Sequence, residues 1–173
     1  MSAHTTALTG RAWVFGDNID TDVLAPGIYM KGSIAELAQH CLESVDPDFA
    51  RNVQRGDILV AGENFGMGSS REQAGQALLE LGVSALVAKS FARIFYRNAI
   101  NIGLPVAVGD PGEARDGDEL QVNLVTGEVL NLTRDHKLQV EPVPKTIRPI
   151  LAEGGLIAYI RRHGRLSREP GHA

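Results

Sequence analysis

"DILVAGENFGMGSSREQAGQALLELGVSALVAK", Asp57 to Lys89, is the stretch whose reading decides the fold. It opens with "DILVAG", a continuous apolar run of strand length, and closes with a second such run, "VSALVAK". Between them lie the loop "ENFGMG" and a segment with Ala74, Ala77, Leu78 and Leu81 at helical spacing. The spacing predicts a helix from Ser69 or Ser70 through Leu81, capped by a serine and ended by Gly82. Strands that are apolar throughout, alternating with helices, predict a parallel sheet covered on both faces.

Downstream the pattern continues, then changes. "SFARIFYRNAINIG" reads as a helix capped by Ser90, and "LPVAVG" as a further strand. "DELQVNLVTGEVLNLT" alternates apolar and polar residues around Thr126-Gly127, as a hairpin does. "KLQVEPVP" reads as an edge strand closed off by prolines. "TIRPILAEGGLIAYIRRHG" reads as a closing helical segment interrupted at Gly154-Gly155. Upstream, Ala12 to Phe15 form a short strand running into Asp20, Thr21 and Asp22, which are turn and cap formers. Ser33 with Glu36 has capping-box spacing, and Ile34, Leu37, Ala38 and Cys41 predict an amphipathic helix behind it. Trp13 is read as either a core residue or an interface anchor.

The resulting class is α/β: one domain over residues 1–173 with a core at about 10–163. A mostly parallel sheet layered with helices carries a small antiparallel hairpin element, and the tail at 164–173 is expected to be flexible. The net charge of −4 gives no electrostatic reason to expect nucleic acid or an anionic membrane as partner. No apolar run approaches the ~20 residues that span a bilayer, and "MSAHTTALTGR" lacks the features of a secretory signal. A cytoplasmic location is the expectation. The single cysteine, Cys41, excludes an internal disulfide and any thiolate cluster built by this chain alone. No metal or cofactor site is expected in this chain.

"GMGSSRE", Gly66 to Glu72, lies at the end of a strand and the start of a helix, where ligands settle in open α/β sheets. A helix start offers unpaired N–H groups and partial positive charge, so the position suits an anion. A nucleotide-phosphate cradle fits poorly, because the P-loop lysine is missing and the pattern fails G-x-G-x-x-G at its last position. A serine-hydrolase elbow fails for want of G-x-S-x-G. Two readings stay open on the residues alone. One is a helix cap and nothing more. The other is a small-molecule site in which Arg71 forks onto a carboxylate and a serine hydroxyl faces the reacting carbon.

"GDNIDTD", "GENFGMGSSREQA" and "KSFARIFYRNAINIGLPV", in this order and spacing, resemble the small subunits of 3-isopropylmalate dehydratases, relatives of the swivelling C-terminal domain of aconitase. The similarity runs over about residues 10 to 160. It implies a hydro-lyase half that is active only with a large subunit, whose three cysteines hold a [4Fe-4S] cluster. By that similarity Ser69 is the base that takes a proton from carbon, Ser70 stands beside it, and Arg71 clamps a substrate carboxylate. Asp22 matches an acidic residue of the aconitase site. The chain departs from the family pattern at Met67 and Gln73, where cysteine and histidine are usual.

A third departure bears on substrate. In isopropylmalate enzymes the loop matching "GIYMKGS" presents apolar residues to an isopropyl group, whereas homoaconitase-like members place an arginine there. Here the loop carries Lys31. An unpaired ammonium buried against an isopropyl group costs several kcal/mol or loses its proton; facing a carboxylate it is satisfied, and pointing to solvent it is neutral to both. 3-Isopropylmalate is the leading substrate. Homoaconitase-like and dimethylmalate- or citramalate-type acids are the competitors, and a non-catalytic carboxylate-binding module or a scaffold for the large subunit are readings of other classes.

Overall fold

The computed structural model describes residues 7–164. Strand β1 (Ala7–Val14) leads to helix α1 (Thr21–Leu24), a 3-10 turn at Gly27–Tyr29, α2 (Ile34–Ala38) and α3 (Phe49–Asn52). Then β2 (Ile58–Ala61), α4 (Glu72–Glu80), β3 (Ala85–Ala88), α5 (Arg93–Asn101) and β4 (Val106–Val108) alternate. The chain finishes with β5 (Glu119–Asn123), β6 (Glu128–Asn131), β7 (His136–Gln139), α6 (Arg148–Ala152) and α7 (Leu156–His163). Of the flexible tail expected at 164–173, residues 165–173 lie outside the described residues, and Gly164 caps α7.

All seven strands join one sheet in the order β4-β3-β2-β1-β5-β6-β7. Strands β1 to β4 are parallel, and β5 to β7 continue antiparallel from the other edge of β1. β1 serves both halves. Its first residues pair with β5 (Leu8 opposite Val122), and its last pair with β2 (Trp13 opposite Leu59). The predicted strand began only at Ala12, because Thr9 and Arg11 are exposed and interrupt the apolar run. Pairing with β5 holds these earlier residues in the sheet despite that.

Both faces of the parallel half are covered, as its unbroken apolar strands require, but by different means. Leu59, Ala61, Leu86 and Ala88 pack against the helices α1 to α5 through Leu24, Leu37, Phe49, Ala77 and Phe95. Ile58, Val60 and Val87 point the other way and meet Leu120, Val122 and Val129. The antiparallel strands therefore close the second face, and the sheet curls into a half-barrel. The hairpin around Thr126-Gly127, the edge strand before Pro142 and Pro144, and the break at Gly154-Gly155 all stand where the pattern put them.

Three helix ends differ from expectation. Ser33 and Glu36 do form the capping box of α2, but the regular helix ends at Ala38. His40 and Cys41 then bond three residues back, and Leu42 takes a φ of +61° while sitting fully buried, which turns the chain away. α4 starts at Glu72 with Arg71 as its N-cap, so neither Ser69 nor Ser70 caps it. α5 starts at Arg93; Ser90 instead accepts a 2.8 Å bond from the Asn64 N–H and ties down the loop after β2. Trp13 is part of the packing: its ring meets Phe49 edge-on at 5.2 Å, and its Nε1 donates to Asp57 at 2.8 Å.

Asp118, at the entry to β5, is 3% exposed and fastens the antiparallel half. Burial pushes its carboxyl up, but Arg134 Nε and Asn131 Nδ2, each at 2.7 Å, and the Arg115 N–H overcome that and hold it at about 2. A carboxyl depressed in the folded state stabilises above its unfolded pKa of about 4, and that stabilisation is lost as pH falls toward 2. Asp118→Asn is expected to cost about 2 kcal/mol near neutral pH. Denaturant titration checks this: the gap between wild type and variant shrinks from pH 4 to pH 2, and a gap that persists at pH 2 contradicts the assignment.

Candidate active site

The site forms where three parallel strands end. The loop leaving β2 lies between the segment after β1 and the segment after β3. Gly66 N–H donates to Ile19 C=O at 2.7 Å and Thr21 N–H to Met67 C=O at 2.8 Å, which is strand-like pairing on one side. On the other side Phe65 N–H donates to Ser90 C=O at 3.1 Å, and Ala92 N–H to Phe65 C=O at 2.9 Å. The loop is thus an irregular continuation of the sheet beyond its C-terminal edge, where α/β sheets bind ligands.

These pairings bring together residues that are far apart in sequence. Arg71 Nη1 donates to Asp22 Oδ1 at 2.6 Å and to Ala25 C=O at 3.0 Å. Asp22 Oδ1 also accepts from Gly27 N–H at 3.3 Å. Arg71, and after it the Gly27 N–H, hold the Asp22 carboxyl below the usual carboxylate range. Asp22 is 69% exposed on its side chain and Arg71 27%, so the pair contributes little to stability. Its consequence is geometric. One nitrogen of the guanidinium is fixed, while the Nη2 and Nε edge makes no hydrogen bond among the described residues. That edge is the one that grips a carboxylate through two parallel bonds.

Ser69 and Ser70 are exposed on the same rim, directly before Arg71. Release from capping leaves their hydroxyls for other work. The Ser69 peptide is held from two sides: its C=O accepts from Arg71 N–H at 2.8 Å and from Thr21 Oγ1 at 2.9 Å. Lys31 is exposed four residues past Gly27 and makes no hydrogen bond or ion pair among the described residues. The fold therefore gathers Asp22 with Arg71 and the two serines that precede it, and brings Lys31 into no hydrogen bond or ion pair with them.

Residues 24–110 match the aconitase C-terminal domain family. The chain is 53% identical over 159 residues to 3-isopropylmalate dehydratase small subunit 2 of Archaeoglobus fulgidus, covering 91% of this chain and 96% of that one. The chain belongs to the 3-isopropylmalate dehydratase small-subunit family. A solved structure of 3-isopropylmalate dehydratase from Methanocaldococcus jannaschii superposes with a TM-score of 0.87 at 44% identity, over 91% of this chain and 95% of that one. A methanogen homoaconitase small subunit from Methanothermobacter thermautotrophicus is 52% identical over 153 residues, 88% of this chain and 89% of that one. Identity of this order is thus shared with enzymes of two names.

Within this family of small subunits, the chain itself does not fit an iron–sulfur cluster. Its one cysteine, Cys41, is 0% exposed, and burial pushes the thiol far up, so it offers no thiolate. Among the described residues no group of three or more histidine, cysteine or acidic side chains is placed to hold a metal ion, and no helix is long and apolar enough to cross a membrane. Met67 is 39% exposed on the rim, and Gln73 sits half-buried in the first turn of α4. Thr21 was legible only as a turn former. Its buried hydroxyl under Ser69 is a contact between residues 48 apart, which no local pattern signals.

Proposed function

We propose that this chain is the small subunit of a hydro-lyase of the 3-isopropylmalate dehydratase type, completing the site of a cluster-bearing large subunit. The observation that carries this reading is the Arg71 guanidinium, fixed by Asp22 with its two-donor edge free, beside the exposed Ser69 hydroxyl. The large subunit is expected to supply Lewis-acid chemistry at the substrate hydroxyl through its [4Fe-4S] cluster. This chain supplies the rest. Arg71 binds and orients a carboxylate of the substrate. Ser69, ionised, takes the proton from the carbon next to that carboxylate and returns it in the reverse direction. Negative charge grows on the carboxylate as the proton leaves, so the Arg71 contact strengthens in the transition state. Ser70 stands beside Ser69 as a second polar group toward substrate.

A second reading concerns the acid alone. Lys31 is exposed and has no hydrogen-bond or ion-pair partner among the described residues, beside a turn anchored to Asp22, so it can meet a further carboxylate, as a homoaconitase-type substrate presents. Co-expression with candidate large subunits, followed by assays on 3-isopropylmalate, citramalate-type and homologous tricarboxylic acids, tests both readings. Turnover is expected only in the assembled pair. Tight binding of an acid by the isolated chain would instead identify a carboxylate sensor. Lys31→Val is expected to raise the ratio of kcat/KM for 3-isopropylmalate over a tricarboxylate by about tenfold or more. An unchanged ratio removes Lys31 from substrate recognition.

A further inference from the structure

We propose that Thr21 is a positioning residue for the Ser69 base, its buried hydroxyl serving the Ser69 carbonyl at rest and the Ser69 oxygen once ionised. The inference rests on the proposed function and adds a residue to it. Thr21 is 2% exposed, whereas Ser69 above it is exposed. Thr21 Oγ1 donates to Ser69 C=O at 2.9 Å and stands 3.3 Å from Ser69 Oγ. A buried hydroxyl carries a desolvation cost that valine, nearly identical in shape, avoids. Here that hydroxyl is spent entirely on Ser69. The approach is tight: a Cβ at Gly68, where φ is +101°, would lie 3.2 Å from Thr21 Oγ1. The Thr21 backbone is itself pinned, N–H to Met67 C=O at 2.8 Å, with Asp20 capping the turn through Val23 N–H.

A serine alkoxide needs oriented donors, because its ordinary hydroxyl is a far weaker acid than the working pH permits. Thr21 has one proton and two acceptors within reach. With Ser69 neutral, the serine O–H points to Thr21 Oγ1 and the threonine O–H to Ser69 C=O. With Ser69 ionised, rotation about the Thr21 Cβ–Oγ1 bond delivers the same proton toward Ser69 Oγ. The proton lifted from substrate carbon ends on Ser69 Oγ, Thr21 keeps its own throughout, and no charge passes through it.

The test compares Thr21→Val with Thr21→Ser in the full-length chain assembled with its large subunit, using whichever hydroxy acid the wild-type pair turns over. That choice separates this inference from the substrate assignment. For Thr21→Val, kcat is expected to fall on the order of 10²-fold with little change in KM. The ascending limb of its kcat–pH profile, which reports ionisation of Ser69, moves to higher pH, and Thr21→Ser stays near wild type. A valine variant with wild-type kcat overturns the inference. So does a loss without a shift of the limb, matched by a lowered Tm and shared by Thr21→Ser, because that is a structural role. If the valine chain fails to assemble, Thr21→Ser against Thr21→Ala gives the same decision, since they differ by one hydroxyl. A wild-type pair silent on every acid offered sinks the proposed function and this inference together.

Discussion

Ser69→Ala, assembled with the large subunit, is expected to lose about 10²–10⁴-fold in kcat with KM nearly unchanged. The Ser69 hydroxyl is lost along with its 3.3 Å approach to Thr21 Oγ1, but the backbone stays held. The two bonds to the Ser69 C=O, from Arg71 N–H and Thr21 Oγ1, survive the substitution, and the side chain is exposed. Alanine therefore removes the proposed base without disturbing the Asp22–Arg71 contact, and the stability of the chain stays within about 0.5 kcal/mol. Steady-state kinetics on the reconstituted pair, alongside thermal melting of the small subunit, make the measurement. Near-normal turnover in Ser69→Ala would place the base elsewhere and leave Arg71 as a binding group only.

Gly66→Ala carries the largest expected effect on the fold itself. A Cβ at this position would lie 2.1 Å from Phe95 Cγ and 2.4 Å from Phe95 Cβ. The phenyl ring cannot step aside. It is 3% exposed, edge-on to Phe65 at 5.2 Å and stacked with Phe91 at 6.3 Å. Nor can the loop lift away, since Gly66 N–H is bound to Ile19 C=O at 2.7 Å. Forced overpacking costs about 1–3 kcal/mol, and the φ of +79° adds about 1–2 kcal/mol for a residue with a Cβ. The sum of about 3 kcal/mol corresponds to a drop of ~10 °C in Tm for a chain of this size. An unchanged melting curve would mean that the loop repacks freely, and the tight register of the site with it.

Much of this architecture is legible in the sequence because the signals are local. Ile58–Ala61 and Ala85–Ala88 are unbroken apolar runs, Thr126-Gly127 is turn chemistry between alternating segments, and Ser33 with Glu36 is a capping box. What escapes is set by pairing and packing across the chain. The start of β1 at Ala7 depends on β5, more than a hundred residues later. The start of α4 looked like a serine cap, yet the sheet-like bonds from Ile19 and Thr21 hold the loop so that Arg71 takes the cap position. Asp22 and Arg71 were assigned to one site by motif resemblance alone. Their contact at 2.6 Å, and the hydroxyl of Thr21 under Ser69, belong to tertiary structure and leave no periodic trace.

Asp22 and Arg71 stand 49 residues apart in the chain, the first inside the crossover from β1 to β2 and the second beyond β2. A nascent polypeptide that has emerged only as far as Ala61 carries the first and lacks the second. The Asp22–Arg71 pair therefore forms late in synthesis and only with native topology, so its presence marks a correctly threaded chain.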